Sequence, residues 1–441
     1  MTSTSDASDA PDTRDTTPLA SSDLKEKRSP SPFQMLSTYL SFPTRDQEQW
    51  WVKTGPVLGR MLETAGYALD QQFKYLTLHH NQIVPRLGPY PPRFQSNLTI
   101  SGLLIEFSIN YQQKGTSHPT VRLGLEPADS FSGTDRDPFN KSPLPSTLSH
   151  FTRMGVEGFD QQLYTYFQPK HCLTDEEQLR VATEVPGGGK RTTQGALAFN
   201  LDDRGINMKG YTYPGVKAHL AKVEVKDMIT TAIDDLKALG KGDWIDAWAK
   251  TAEYVTEING WGFHNLWGWD YVEPSQSRFK FYTWQFDVQD ITKLDELFTL
   301  NNRAASPTHL EGLTYLHKLW DIIDLKGSGK RELPPDATQP PENTNPMLLS
   351  YEIKSGNPLP DAKVYFPLQG FNDLVCIEKI ARFFEYLGWK ELAESYPTTV
   401  QTFFPDHDLS KTSHLVYWIS FSYSEKQGVY SSVYYHANPE I

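Results

Sequence analysis

Residues 263–284 read FHNLWGWDYVEPSQSRFKFYTW, with aromatic or branched side chains at alternate positions on both sides of a polar turn. A period of two is typical of β-strands, and a turn cluster between two such runs predicts a β-hairpin. Four other stretches repeat the pattern, and each has a Gly, Pro, Asp or Ser cluster at its turn. They cover residues 98–127, 195–214, 347–368 and 414–436. The chain is therefore predicted to contain five hairpins and ten antiparallel strands.

Helical periodicity fills the segments between the hairpins. One apolar stripe at helical spacing is formed by Val225, Ile229, Ile233 and Leu236. The order of a hairpin followed by helices recurs about five times, with a period of roughly 70–85 residues, which indicates an internal repeat.

The predicted fold class is α+β, with one ten-stranded antiparallel β-barrel surrounded by helices. Closing the sheet removes exposed strand edges, and about ten strands leave a lumen wide enough for a ligand. An open sheet with helices on one face is the alternative that the pattern leaves open. Residues 33–441 are expected to form this single domain, with mobile loops near 186–193 and 327–346. Residues 1–32 are rich in Ser, Thr, Asp and Pro and are expected to be a disordered tail.

Composition argues against several classes of protein. The net charge of −12 over 441 residues disfavours a nucleic acid or an anionic membrane surface as partner. No apolar run of about 18 residues occurs, so no transmembrane helix is predicted. The N-terminal sequence lacks the basic and apolar regions of a secretory signal, and Cys172 and Cys376 form no disulfide framework. A cytoplasmic location is therefore expected.

A Lys-x-Tyr signature recurs on the second strands of three hairpins. Residues i and i+2 lie on one face of a strand, so each strand presents an ammonium and a phenol to the same side. If that side is the lumen, several cations converge there, and burying them requires an anion. A diphosphate fits, because it accepts many charge-assisted hydrogen bonds. A solvent-exposed Lys-x-Tyr face is the alternative. The residues of this set are Lys209, Tyr211, Lys280, Tyr282, Lys363 and Tyr365. Arg278 lies two residues before Lys280, Arg122 lies in the first hairpin, and Tyr430 and Tyr434 share a face in the fifth.

Glu106 lies in the apolar stretch GLLIEFSIN, with Leu104 and Ser108 on its face of the predicted strand. It is either an exposed strand residue or a buried base with a raised pKa. The sequence contains no Asp-rich cluster of the kind that binds magnesium, so fixed cations are expected to neutralise the diphosphate.

These motifs resemble the dimethylallyltryptophan synthase family, the fungal indole prenyltransferases. The resemblance covers about residues 35–437 and implies an ABBA barrel of five αββα repeats. It also implies metal-independent transfer of a dimethylallyl group from its diphosphate to an indole. The motifs are LGPYPP at 87–92, LLIEFSINY at 103–111, VRLGLEP at 121–127, NMKGYTYP at 207–214, SRFKFY at 277–282, AKVYFPL at 362–368, WISFSY at 418–423 and GVYSSVYY at 428–435.

The resemblance also implies roles for individual residues. Glu106 matches the glutamate that binds the indole N–H and accepts its proton. Dimethylallyl diphosphate is the co-substrate, no metal or other cofactor is expected, and the protein is expected to be a monomer or homodimer. The diphosphate site and its tyrosine shield correspond to Arg122, Lys209, Tyr211, Arg278, Lys280, Tyr282, Lys363, Tyr365 and one of Tyr430 and Tyr434. The acceptor and prenyl pocket is expected to include Leu104, Met347 or Leu349, and Trp418.

Two departures from the family pattern concern the acceptor. Members that act on free tryptophan carry a lysine on the first strand of the second hairpin, where this chain has Ala196 and Ala198. They also carry an arginine on the first strand of the third hairpin, and FHNLWGWDY contains none. The expected acceptor is therefore a tryptophan-containing diketopiperazine or a derived indole alkaloid. Free tryptophan as acceptor, and a non-catalytic barrel that binds an isoprenoid diphosphate, are the alternatives.

Overall fold

Ten antiparallel strands close into a barrel in this computed structural model. Each strand pairs with the next along the chain, and the last pairs with the first, with Glu106 opposite His436. The open-sheet alternative is therefore wrong. The strands are β1 (Ile105–Gln112), β2 (Thr120–Leu125), β3 (Gly195–Asp202), β4 (Gly205–Thr212), β5 (Leu266–Asp270), β6 (Arg278–Gln285), β7 (Met347–Lys354), β8 (Asp361–Pro367), β9 (Val416–Ser424) and β10 (Gly428–His436).

The structure describes residues 29–115, 118–186, 193–203, 205–286, 288–325, 347–438 and 440. The predicted tail over 1–32 lies outside this set except for its last four residues. The predicted loops near 186–193 and 327–346 also lie outside it, apart from residues 186 and 193. These three assignments stay predictions.

Helices surround the barrel. The predicted apolar stripe is buried in the hydrophobic core, as the low exposure of Val225, Ile229, Ile233 and Leu236 shows. None of the helices in the described ranges has both the length and the apolar character needed to cross a lipid bilayer. The helices are α1 (Pro32–Tyr39), α2 (Arg45–Thr64), α3 (Leu69–Leu78), α4 (Pro143–Met154), α5 (Gln162–His171), α6 (Asp175–Glu184), α7 (Gly215–Ala221), α8 (Val225–Ala238), α9 (Ile245–Glu257), α10 (Ile291–Thr299), α11 (Pro307–Ile323), α12 (Asp373–Tyr386) and α13 (Lys390–Phe403).

The two faces of the barrel differ in chemistry because side chains alternate along each strand. The outer face is apolar and packs against the helices; Trp267 and Trp269 of β5, for example, both contact Phe167 of α5. The inner face carries most of the predicted site residues. The hydrophobic core therefore lies between barrel and helices, and the lumen is left free for polar groups and a ligand.

Candidate active site

Among the described residues, two adjoining chambers lie in the barrel lumen. One is mostly apolar and has a volume of about 610 Å³. The other is polar, has a volume of about 550 Å³, and extends toward the hairpin turns, where Gly115 and Gln427 line it. Seven residues line both chambers and mark their junction: Arg122, Asn200, Lys209, Tyr211, Tyr282, Tyr365 and Tyr434.

Four tyrosines form a row of rings at this junction. Successive ring centroids lie 6.0 Å apart for Tyr211 and Tyr282, 6.3 Å for Tyr282 and Tyr365, and 5.9 Å for Tyr365 and Tyr434. Burial raises the pKa of Tyr211, Tyr365 and Tyr434, so these phenols stay protonated and can donate hydrogen bonds. Aromatic faces in such an arrangement can stabilise a cation between the chambers.

Some lysines and arginines of the polar chamber are paired with carboxylates. The Arg278 guanidinium binds Asp270 with two hydrogen bonds, of 2.7 and 2.9 Å. Glu352 lies 3.3 Å from Arg278, 3.1 Å from Lys280 and 3.4 Å from Lys354. Burial opposes ionisation of Glu352, but these cations outweigh it and hold its pKa well below the usual range. Arg278 and Lys280 are therefore held in place before any ligand arrives.

Three cations of the chamber have no carboxylate within 4 Å among the described residues: Arg122, Lys209 and Lys363. Lys209 donates to Asn200 Oδ1 at 2.8 Å, and Lys363 Nζ lies 4.4 Å from the centroid of the Tyr430 ring. Burial lowers the pKa of both lysines well below the usual range, and the nearby Arg122 and Lys280 add to the effect. The chamber thus contains a surplus of positive charge that a polyanion would neutralise.

Tyr430 and Tyr434 occupy different places in the lumen, although both line the polar chamber. Tyr430 accepts a hydrogen bond from Arg122, whose guanidinium also lies over its ring, 5.2 Å from the centroid. Tyr434 belongs to the row of tyrosines at the junction and lines both chambers. Tyr430 therefore orients two of the three unpaired cations, while Tyr434 faces the boundary.

Glu106 lines the apolar chamber, on the far side of the tyrosines from most of the cations. No side chain of the described residues donates a hydrogen bond to its carboxylate, and burial raises its pKa to about 8. The chamber around it is lined by Ala196, Ala198, Leu348 and Trp418, among other residues. This is the environment of a proton acceptor that lies beside an apolar ligand.

Three of the predicted pocket residues lie elsewhere. Met347 and Leu349 point outward from β7 into the core beneath the helices, and Leu348 between them lines the apolar chamber. The prediction for Met347 and Leu349 is therefore wrong, because strand alternation places them on the opposite face. Leu104, which precedes β1, is also buried in the hydrophobic core and lines neither chamber. Trp418 lines the apolar chamber, and its contact with an acceptor stays a prediction.

Sequence reasoning missed the carboxylates that hold the cations. Glu352 lies on β7 at the same parity as Lys354, and Asp270 ends β5, opposite Arg278 in the hairpin. Both could have been found from the sequence, because each is an acidic residue at a lumen-facing position of a barrel whose lumen is rich in cations. Within the described ranges, no group of three or more His, Cys, Asp or Glu residues is arranged to hold a metal ion.

Comparisons with known proteins agree with this geometry. The family model described as tryptophan dimethylallyltransferase matches residues 46–399. The chain is 59% identical to the tryptophan dimethylallyltransferase nptA of Emericella nidulans over 93% of its own length and 94% of that protein. It is 35% identical to the deoxybrevianamide E synthase notF of an Aspergillus species, over 93% and 91% of the two chains.

Solved structures show the same barrel. A crystal structure of NotF in complex with brevianamide F and DMSPP superposes with a TM-score of 0.83 at 34% identity, covering 93% of this chain and 99% of that one. The crystal structure of AnaPT from Neosartorya fischeri gives a TM-score of 0.79 at 29% identity, covering 93% and 98%. The ten-stranded fold predicted from the hairpins is thereby confirmed.

Replacing Lys209 with methionine removes one unpaired cation and keeps the length of the side chain. We expect the affinity of the full chain for inorganic diphosphate to fall about tenfold or more, because a hydrogen bond to a charged group contributes about 1.5–3 kcal/mol. Isothermal titration calorimetry measures this affinity. Lys217→Met is the matched control, since Lys217 pairs with Glu177 among the helices. A loss below twofold for Lys209→Met would show that Lys209 does not bind the anion.

Proposed function

The chain belongs to the tryptophan dimethylallyltransferase family and is an aromatic prenyltransferase, and we propose that it transfers a dimethylallyl group from dimethylallyl diphosphate to an indole. The proposed acceptor is the indole of a tryptophan-containing diketopiperazine or of a derived alkaloid. One observation carries the proposal: four tyrosines separate a chamber with surplus positive charge from an apolar chamber that contains Glu106.

The donor is proposed to bind across the tyrosines. Its diphosphate lies among Arg122, Lys209 and Lys363, and its dimethylallyl tail points toward Leu348 and the apolar chamber. When the carbon–oxygen bond breaks, the bonding electrons leave with the diphosphate, and the fixed cations stabilise that charge. The allylic cation that remains faces the tyrosine rings, which shield it from water.

The acceptor is proposed to bind with its indole beside Glu106. The carboxylate accepts a hydrogen bond from the indole N–H and so increases the electron density of the ring. A ring carbon then forms the new bond to the allylic cation, and Glu106 accepts the proton that is released as the neutral product forms. Because burial raises the pKa of Glu106 to about 8, the carboxylate is a stronger base than an exposed glutamate.

A neutral acceptor fits the apolar chamber better than free tryptophan does. Among its described lining residues the only lysine and arginine are Lys209 and Arg122, which belong to the donor end. An amino-acid carboxylate would therefore be buried without a partner. The names of the relatives point both ways, since nptA is named for tryptophan and NotF was crystallised with brevianamide F. The distribution of charge in the chamber favours a neutral acceptor over free tryptophan.

The non-catalytic alternative is set aside, because the family and its relatives are enzymes.

Independence from metal is part of the proposal and rests on the fixed cations of the polar chamber. The cytoplasm stays the predicted location; Cys172 and Cys376 are both buried free thiols. A monomer or homodimer also stays a prediction.

Metal independence is tested by chelation. Excess EDTA should leave most of the prenylation rate intact, because protein cations take up the charge of the leaving diphosphate. The rate is followed by chromatography of the prenylated product, with added magnesium as the comparison. Complete loss of turnover that only magnesium restores would contradict the proposal.

Glu106→Gln should lower prenylation by about 10²–10⁴-fold, the usual cost of removing a general base. In the wild type, kcat/KM for the acceptor should rise with pH until Glu106 is ionised near its pKa of about 8. That limb of the profile should be absent in the variant, while the affinity for dimethylallyl thiolodiphosphate stays unchanged. A variant with wild-type rate, or with the same acid limb, would remove Glu106 from the mechanism.

Brevianamide F should be prenylated with a higher kcat/KM than free tryptophan, because the apolar chamber offers the amino-acid carboxylate no cation. Mass spectrometry and NMR of the products from both acceptors identify the product and the position of attachment. A clear preference for free tryptophan would overturn the acceptor assignment and leave the donor site standing.

A further inference from the structure

One wall of the apolar chamber is an irregular loop, residues 96–102, that precedes β1. Asn97, Leu98 and Ile100 line the chamber from this loop. The loop is closed by hydrogen bonds from Ser96 N to Gly102 O, at 2.9 Å, and from Gly102 N to Thr99 O, at 3.1 Å. It is therefore a compact turn whose side chains face the proposed acceptor.

Leu98 lines the same chamber as the proposed base and lies over the strand position opposite it. It packs over Gly124 of β2, and a Cβ atom added to Gly124 would lie 3.3 Å from Leu98 Cδ1. Gly124 is the cross-strand partner of Glu106 in the β1–β2 pair. The missing side chain at Gly124 thus leaves room for Leu98 to contact the space where the indole approaches Glu106.

A second buried carboxylate holds this loop. Glu126 is 1% exposed and accepts hydrogen bonds from the hydroxyl of Ser96, from Thr193 Oγ1 at 2.9 Å and from Asn140 Nδ2 at 3.1 Å. The Ser96 hydroxyl in turn accepts the N–H of Leu98 at 2.9 Å.

The hydroxyl of Thr193 connects Glu126 to Asn97 in the same way. Its Oγ1 accepts the N–H of Asn97 at 2.9 Å. Two lining residues of the loop are therefore connected to Glu126 through one hydroxyl each.

Glu126 has no role in the proposed chemistry, and no Lys, Arg or His lies within 4 Å of it among the described residues. A carboxylate buried among neutral donors is costly unless each hydrogen bond is made. Two of its three donors hold the chamber wall.

We propose that Glu126 is a positioning residue for the acceptor. Through Ser96 it fixes Leu98, and through Thr193 it fixes Asn97, in the wall of the chamber that contains Glu106. It thereby determines which edge of the indole faces the allylic cation. This inference rests on the proposed function and adds a specificity determinant to it.

The test uses the full chain and four substitutions: Glu126→Gln, Ser96→Ala, Leu98→Ala and the double variant Ser96→Ala/Leu98→Ala. Ser96→Ala breaks the connection without removing the buried carboxylate, so it remains informative if Glu126→Gln folds poorly. Ile229→Ala in α8 is the control for lost packing outside both chambers. The readouts are KM for brevianamide F, the ratio of product isomers, the affinity for dimethylallyl thiolodiphosphate, and amide hydrogen exchange in residues 96–102.

Glu126→Gln and Ser96→Ala should each raise the acceptor KM about five- to tenfold, the effect expected for one or two lost hydrogen bonds. Both should change the isomer ratio and speed amide exchange in 96–102, with donor affinity kept within twofold. The double variant should be no worse than Leu98→Ala, because both changes act through the same side chain.

The inference is overturned if KM and isomer ratio stay at wild-type values, if the double variant shows additive losses, or if Ile229→Ala reproduces the pattern. Failure of the proposed function looks different, since the wild type would then prenylate no indole acceptor. In that case hydrogen exchange decides alone: unchanged exchange in 96–102 refutes the positioning role, and faster exchange in both variants supports it.

Discussion

The surplus of positive charge inside the barrel is the constraint on which the rest of the structure depends. In the described part of the chain, Arg122, Lys209 and Lys363 have no carboxylate within 4 Å. Lys209 is buried and the other two are partly buried, and desolvation lowers the pKa of all three. Such charges persist only where rigid surroundings hold them and neutral groups solvate them. The closed sheet supplies the rigidity, while Asn200 and Tyr430 supply the neutral partners.

The row of tyrosines lies between the positively charged chamber and the apolar chamber that contains Glu106. Its position depends on a glycine, because a Cβ atom at Gly268 of β5 would lie 2.8 Å from the ring of Tyr211. Polar groups that stabilise a leaving anion and apolar groups that exclude water from a carbocation would interfere with one another if they were mixed. The barrel separates them along its axis, with phenol rings at the boundary. In the proposed mechanism, the bond to the diphosphate therefore breaks on one side of these tyrosines and the bond to the indole forms on the other.

Sequence reasoning placed the strands and most of the lumen because both follow from alternation. Lys-x-Tyr at equivalent positions of three hairpins identified a common face, and Lys209, Lys280 and Lys363 all lie on it. At the start of β7 the letters MLL are apolar on both faces, so alternation alone could not tell Met347 from Leu348. The hydrogen bonds of Glu126 could not be predicted from alternation either, because they join residues 14, 30 and 67 positions apart through irregular loops.

The most direct test of this account is the number of protons taken up when dimethylallyl thiolodiphosphate binds. The second ionisation of a phosphate group has a pKa of about 6, so at pH 8.5 the ligand is fully ionised and any proton uptake comes from the protein. Calorimetry in buffers of different ionisation enthalpy measures that uptake. The account predicts a net gain of protons, because the anion raises the depressed pKa values of Lys209 and Lys363, and it predicts a smaller gain in Lys209→Met. Binding without proton uptake at any pH from 8.5 to about 10.4, the ordinary pKa of a lysine, would show that the diphosphate does not lie among the unpaired cations, and it would contradict the central claim.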